Sequence, residues 1–438
     1  MIVSRFRLVL IVLSCAMMWV IAGGCASKAE HQADRAVAEF FAGDYEHSVQ
    51  RLRPLAEKTD ENFVLNNLRL GSAALLNYDL DEAEQAFLRA YEVLNSFGVN
   101  DGGRTLGAVL VDEKIKIWRG EPYERAMANF YLGLVYYVQQ DYANARGAFE
   151  NALFKLRDYA SDDKKASKED YHEVENNFAL ASLMLGKCWQ KLGREDLAHA
   201  NFDRAIESAP RLHDIADYDR SMQSNLLLVI DYGHGPQKVT DFDGAIVGFA
   251  PTPEQAGPLP QARVHVDGKL VNVGPDLDLG APTIDTCAMA QDRRWQSIDT
   301  IRTIKSAVGT GLLAAGAFEG LRGISGEGSA QRRDLTAAAA LLGAGLLLKM
   351  TSQADVRQWE MLPRTIYVIP LHVEPGEHDV TIDFAGIGGL RQEWQGLLAP
   401  KQGEATYFMR LQRYNPGPFT WPPRSQNRQD RGVIVERE

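Results

Sequence analysis

The sequence predicts an α+β chain: a helical array first, then a β-rich, sandwich-like domain interrupted by a helical hairpin. Three observations carry this expectation. Between residues 29 and 210 one pattern of small and large residues recurs four times. From Leu226 onward, alternating β-branched segments broken by Gly and Pro take over. Within that second half, about Asp285 to Ala354, helical periodicity and two apolar, small-residue runs intervene.

Length and composition set the outer limits. The 438 residues allow two or three domains and an ample core. A 45% hydrophobic and 24% charged composition excludes an intrinsically disordered chain. A net charge of −11 argues against a broad nucleic-acid surface, which needs clustered Lys and Arg. Four cysteines, at 15, 25, 188 and 287, are too few and too scattered for a disulfide scaffold.

Residues 1–24 have the layout of a signal peptide: Arg5 and Arg7, then an uncharged run from Leu8 to Gly24. Ordinary cleavage just after Cys25 and a retained anchor are the other readings, although 17 residues barely cross a hydrocarbon core. Ala22-Gly23-Gly24-Cys25 resembles a bacterial lipobox. That resemblance implies acylation of Cys25, a short lipidated linker over 25–30, and outer-membrane anchoring facing the periplasm. Each buried CH₂ of an acyl chain contributes about 0.8 kcal/mol, so several chains hold a protein firmly.

The array is expected over 31–225. Ala83, Phe87 and Ala90 share their spacing with Ala145, Phe149, Ala152 and with Ala198, Phe202, Ala205. Gly71, Gly133 and Gly186 stand at one common step before these sets. In the first unit Ala36, Ser48 and Leu52 take the corresponding places. Small residues let paired helices approach, and the Phe is expected to fill the gap between hairpins. This small-large-small signature resembles the tetratricopeptide repeat. Insertions are expected near 95–122 and 158–173. The first, with Ile115, Ile117 and Trp118, is too apolar for an idle loop and is expected to fold onto the repeats. The second is charged and reads as a solvated loop or helix extension.

Transferring the repeat register puts Phe40, Leu68, Leu75, Phe130, Leu134, Tyr137, Leu183, Lys187 and Gln190 on the concave face. Phe130, Leu134, Tyr137, Leu183, Lys187 and Gln190 make the candidate partner groove, an apolar strip with a polar margin for a protein or peptide. The alternative is that the 95–122 insertion or the C-terminal half covers the strip, since an apolar face must be covered by something.

The β-rich domain is expected over 226–412 with its helical insertion at about 285–354. Its two β groups are expected to close one sandwich. VHVDGKLV and VEPGEHDVTIDF resemble small β-sandwich domains of bacterial surface proteins. Residues 289–305 have an amphipathic helical period. The runs at 306–318 and 335–348 predict a buried helical hairpin, being too short to span a bilayer; a membrane-assembly role for them is the alternative. The Pro-rich segment 413–438 reads as a mobile tail.

YERAMANFYLGLVYYVQQDYANAR, YGHGPQKV and the block Ala354-Asp355-Val356-Arg357-Gln358-Trp359 followed by Leu362-Pro363 resemble a family of bacterial tetratricopeptide lipoproteins. Its members are often encoded beside a small lipoprotein resembling an activator of peptidoglycan synthases. The resemblance implies a cell-envelope context and gives no reaction. The residues themselves offer no metal-ligand spacing, no nucleophile elbow and no phosphate-binding loop, so no catalytic residue, cofactor or metal is expected. Asp355 and Arg357 read as a structural pair beside Trp359 rather than a polar site. The expected function is a non-enzymatic, lipid-anchored interaction scaffold of the envelope; an enzyme acting on wall material is a weaker alternative, since it would need a carboxylate or His cluster that the sequence does not offer.

Overall fold

A computed structural model describes residues 28–95, 117–159, 171–240, 245–301, 303–304, 355–384, 390–411 and 419–420. The signal segment with Cys25, most of the 95–122 insertion and the apolar runs at 306–348 lie outside the described residues.

Four helical hairpins lead the chain: α1 (Lys28–Phe41) with α2 (Tyr45–Ala56), α3 (Phe63–Leu76) with α4 (Leu80–Asn95), α5 (Pro122–Val138) with α6 (Tyr142–Ala152), and α7 (Ala179–Lys191) with α8 (Glu195–Ser208). The glycine steps explain their closeness. A Cβ on Gly71 would lie 2.8 Å from the Phe87 ring, one on Gly133 2.7 Å from Phe149, and one on Gly186 2.6 Å from Phe202. Each Phe thus fills its own hairpin, not only the gap to the next. Phe87 does both, since it also stacks on Tyr131 of the third hairpin, centroids 6.1 Å apart. In the first hairpin Ala36 and Leu52 hold the same two places and are fully buried.

The turn inside every hairpin uses one left-handed residue: Gly43 (φ 81), Tyr78 (φ 58), Gln140 (φ 62) and Gly193 (φ 71). Two of the four carry side chains in a region that favours glycine. Asp44 and Asp141 then cap the following helices, accepting from the backbone N–H of His47 (3.3 Å) and Asn144 (3.1 Å).

Two segments differ from expectation. The flanks of the charged insertion are neither a loop nor a helix extension: β1 (Leu156–Tyr159) pairs antiparallel with β2 (Tyr171–Val174). Arg157 lies over the Tyr171 ring, 4.6 Å from its centroid, so aromatic and cationic side chains support this hairpin. Residues 289–305 are not one amphipathic helix. The short helix α10 (Thr286–Gln291) ends, and Asp292 starts a 3₁₀ turn by accepting from the N–H of Arg294. At the other insertion, Ile117 and Trp118 are buried as expected, with the Trp118 N–H bonded to the Glu61 carbonyl.

After the short helix α9 (Tyr218–Gln223) the β-rich half begins with β3 (Leu226–Tyr232), β4 (Gln237–Thr240), β5 (Ile246–Ala250), β6 (Ala262–Val266), β7 (Lys269–Leu270), β8 (Val273–Gly274) and β9 (Leu277–Asp278). It continues beyond α10 with β10 (Thr365–Leu371), β11 (Gly376–Phe384), β12 (Arg391–Ala399), β13 (Ala405–Leu411) and β14 (Phe419–Thr420). A three-stranded sheet has the order β10-β3-β13 and a five-stranded one β14-β12-β11-β6-β7. Both sheets mix strands from the two β groups. In the first, β3 is antiparallel to β10 and parallel to β13. The expected mobile tail also contributes a strand: Phe419 and Thr420 pair in parallel with Trp394 and Gln395.

Strand β3 is buried along both faces, which is why LLLVI reads as a continuous apolar run rather than an alternation. One face of its sheet meets the five-stranded sheet through Phe384, which packs on Tyr232 (4.5 Å) and Tyr367 (5.7 Å). The opposite face meets the helices. A continuous buried cluster runs from the repeats into both sheets. Among the described residues no helix is long and apolar enough to cross a membrane.

Candidate functional site

The concave face of the array is filled by the chain's own C-terminal half. Strand β13 runs across it. The Tyr78 hydroxyl, at the left-handed turn between α3 and α4, donates to the Phe408 carbonyl (2.7 Å) and accepts from the Phe408 N–H (2.7 Å). One side chain thereby satisfies the backbone of an edge strand that would otherwise be open.

Further along, Glu404 enters the groove just before β13 and is fully buried. It accepts hydrogen bonds from Tyr137 (3.0 Å), Lys187 (3.1 Å) and Ser224 (2.6 Å), with the Lys191 ammonium at 3.6 Å. Burial alone would raise its pKa. Lys187, Lys191 and the Ser224 bond outweigh that and hold it below the ordinary carboxylate range. Lys187 also donates to Ser221 (2.8 Å), whose hydroxyl donates to Gln190 (2.7 Å); Gln190 in turn donates to the Tyr218 carbonyl (2.9 Å). Helix α9 is thus tied down over the fourth hairpin.

A second carboxylate lies on the same sheet face. Asp231 of β3 accepts from the Tyr131 hydroxyl (2.7 Å), and Arg410 of β13 stands 3.4 Å away. Its other oxygen, Oδ1, is buried without a hydrogen-bond partner. Burial dominates here and pushes the Asp231 pKa up to about 7, against the lowering by Arg410 and Tyr131. Arg410 is held by the Met361 carbonyl (3.1 Å), by the Gly233 carbonyl, and over the rings of Phe40 and Phe41, 5.0 Å from each centroid.

The third group surrounds the block 355–360. Arg357 grips Asp355 through Nε (2.9 Å) and Nη2 (2.7 Å), and its Nη1 donates to the Glu61 carbonyl (2.8 Å) and Asn62 (3.0 Å) between α2 and α3. Trp118 and Lys238 both donate to the Arg357 carbonyl, at 3.1 and 2.8 Å. Glu124 accepts the Trp359 N–H (2.7 Å), and Arg69 pairs with Glu360. Burial pushes the Glu124 pKa up to about 7, opposed by Lys238 and by its backbone bonds. Asp355 and Arg357 are therefore a clamp between the two halves.

The predicted groove residues divide accordingly. Tyr137, Lys187 and Gln190 meet, and what they hold is Glu404 and α9 of the same chain. Leu134 and Leu183 are fully buried. Phe130 packs inside its own hairpin against Phe149 (5.6 Å) and toward the fourth against Phe178 (6.0 Å). Its neighbour Tyr131 is the residue that faces the sheet. In place of an open partner groove, the strip is an internal seam, for the physical reason that an apolar concave face had a covering strand available. The repeat register alone does not single out Tyr78, Glu124, Tyr131, Asp231, Glu404 or Arg410. The available signal was charge inside strands that are otherwise apolar, as in LLLVID and TYFMR.

Among the described residues, no group of three or more His, Cys, Asp or Glu is placed to hold a metal. Cys188 and Cys287 are free thiols, both buried.

No family model matches the chain, and no curated protein matches it. Among solved structures, the crystal structure of MamA is 15% identical over 41% of this chain and 77% of its own, with a TM-score of 0.27. YrrB, described as a TPR protein with an unusual peptide-binding site, is 14% identical over 42% of this chain and 70% of its own, TM-score 0.27. A Rap protein complexed with competence and sporulation factor is 16% identical over 48% of this chain and 62% of its own, TM-score 0.21. These are partial similarities. The chain's own hairpins, with their Gly–Phe steps and shared turns, define a tetratricopeptide-containing protein.

Proposed function

We propose that this protein is an envelope-anchored interaction scaffold: a lipoprotein held by Cys25 on the outer membrane, facing the periplasm, with a protein or peptide as its partner. The anchor reading rests on Ala22-Gly23-Gly24-Cys25 after an apolar leader. The scaffold reading rests on one observation above all. The buried charges of the concave face join the repeats to the sheets: Glu404 holds Lys187, Asp231 holds Tyr131, and Arg410 lies over Phe40 and Phe41. Such use of ionisable groups serves a rigid composite body, not a reaction centre. Partners then meet the outer surfaces of the array and the β-rich half rather than the groove. Cell-wall or outer-membrane assembly is the context that the family resemblance adds.

Lipid labelling of the whole precursor in a bacterial host tests the anchor. The parent should incorporate acyl label and stay with membranes after a carbonate wash. Cys25→Ala should lose the label and leave the membrane fraction. Label-free but membrane-retained parent protein would replace the lipoprotein by an uncleaved anchor.

A further inference from the structure

Where the third hairpin begins, three ionisable side chains are sealed together: Glu121 and Glu124 at the start of α5, and Lys238 of β4, none more than 4% exposed. They join three pieces of chain. Glu121 accepts from the Ser297 N–H (2.7 Å) and from the Thr300 hydroxyl, and so holds the strap that follows the 3₁₀ turn. Glu124 accepts from the Trp359 N–H (2.7 Å) and from the Glu121 N–H (2.7 Å). Lys238 stands 3.4 Å from Glu121 and donates to the carbonyls of Asp355 (3.0 Å) and Arg357 (2.8 Å).

Charge does not balance here. Two carboxyl groups face one ammonium, and the charged neighbours are matched among themselves, Arg357 with Asp355 and Arg69 with Glu360. Asp299, on the strap, is exposed. Tyr123 and Cys287, the neighbouring titratable groups, are pushed up by burial and stay neutral. Full ionisation would leave one unmatched negative charge out of water, a costly state that the uptake of one proton removes. The rise of Glu124 to about 7 agrees with this: burial causes it, Glu121 adds to it, and Lys238 and the backbone bonds oppose it. Two carboxyl groups coupled in this way titrate as a pair.

We propose that Glu121, Glu124 and Lys238 form a proton-operated latch. One proton held by the two carboxyl groups keeps the strap at 297–300 and the block at 355–359 seated on α5. As the pH rises and that proton leaves, both segments loosen while the repeats stay folded. This inference does not depend on the lipid anchor.

Hydrogen exchange in the full chain reads the latch directly, because the Ser297 and Trp359 N–H groups are donors to its two carboxyl groups. Their protection, taken relative to an unstructured peptide at each pH, should fall at least about tenfold from pH 5 to pH 7. A proton released on opening moves that equilibrium by up to about tenfold per pH unit. Glu124→Gln has no such proton to release and should keep its pH 5 protection at pH 7. Glu121→Gln, which leaves one carboxylate opposite one ammonium, should do the same. Asp231→Asn alters the other raised carboxyl group but not this cluster, so the fall should persist in it. Protection that is independent of pH in the parent would overturn the proposal. So would a fall that survives in both glutamine variants, or one that Asp231→Asn removes. Loss of protection at both pH values in both glutamine variants would mean that the two groups act as carboxylates, which also overturns it.

Discussion

Glu404 and Asp231 are two carboxylates on the same face of the same sheet, both sealed beneath the repeats, and they settle into opposite ionisation behaviour. Glu404 has donors on both oxygens and two ammonium groups, and it is held below the ordinary range. Asp231 has one hydroxyl and one guanidinium, both on Oδ2, leaves Oδ1 unpaired, and is pushed up to about 7. Depth is the same, so depth does not decide the charge. The number of donors reaching each oxygen does. Of the two, Glu404 is a true buried ion pair, and Asp231 is a carboxyl group at the edge of neutrality.

The largest test of that contrast removes the charge at each site. Glu404→Gln leaves Lys187 and Lys191 facing a neutral amide, and breaking a buried pair in this way costs about 3–5 kcal/mol. Asp231→Asn removes a charge that is only partly present near neutral pH. Its cost in urea unfolding at pH 7 should be less than half as large. Equal losses would break the comparison. The combined Tyr137→Ala and Lys187→Glu variant belongs with the first class: it should lose many degrees of melting temperature, as internal packing requires.

The pH profile sharpens the contrast next. For Asp231 and Glu124 the folded pKa lies above the unfolded one, so the folded chain holds protons that the unfolded chain has released. Stability therefore falls as pH rises from the ordinary carboxylate range to about 7, by at most roughly 3 kcal/mol for Glu124 and roughly 4.5 kcal/mol for Asp231. Glu404 has the reverse sign: its contribution is present above the unfolded value and is lost as pH falls through the folded one. Asp231→Asn should flatten the neutral side of the curve and leave the acid side unchanged. An unaltered neutral slope in that variant would place the proton elsewhere on the seam.

The array was legible because its information is local. Gly133 and Phe149 lie within one hairpin, and the same pair recurs at Gly71/Phe87 and Gly186/Phe202, so a repeat can be read without knowing any distant contact. The sheets were not. β3 joins β10 and β13 across the whole second half, and nothing in LLLVID names its partners. The groove fell between these cases. Its helices follow from the repeat, but the transferred register puts Phe130 in the groove where Tyr131 serves, because a one-residue change of register turns a helical side chain by about 100°. Tyr78 was invisible for another reason: its role comes from a left-handed turn that brings a hydroxyl to a strand edge.

The smallest effect comes from the two tyrosines that serve the two carboxylates. Tyr137→Phe removes one of several donors to Glu404, which keeps Lys187, Lys191 and Ser224. Its cost should be about 1 kcal/mol, the usual net value of one hydrogen bond. Glu404 stays ionised on both sides of neutrality, so that cost should be the same at pH 6 and pH 8. Tyr131→Phe removes a similar bond from Asp231, which has little else, and the hydroxyl it loses was favouring the ionised form. The folded pKa of Asp231 must then rise further. At pH 6, where Asp231 is mostly protonated, the variant should cost about as much as Tyr137→Phe. At pH 8 the carboxylate must either ionise with one fewer donor or keep its proton against the solvent, so the loss should grow. Urea unfolding of both variants at the two pH values reads the difference directly. A pH-independent cost at Tyr131 would mean that Arg410 alone sets the state of Asp231, and the donor-count account of this seam would fail.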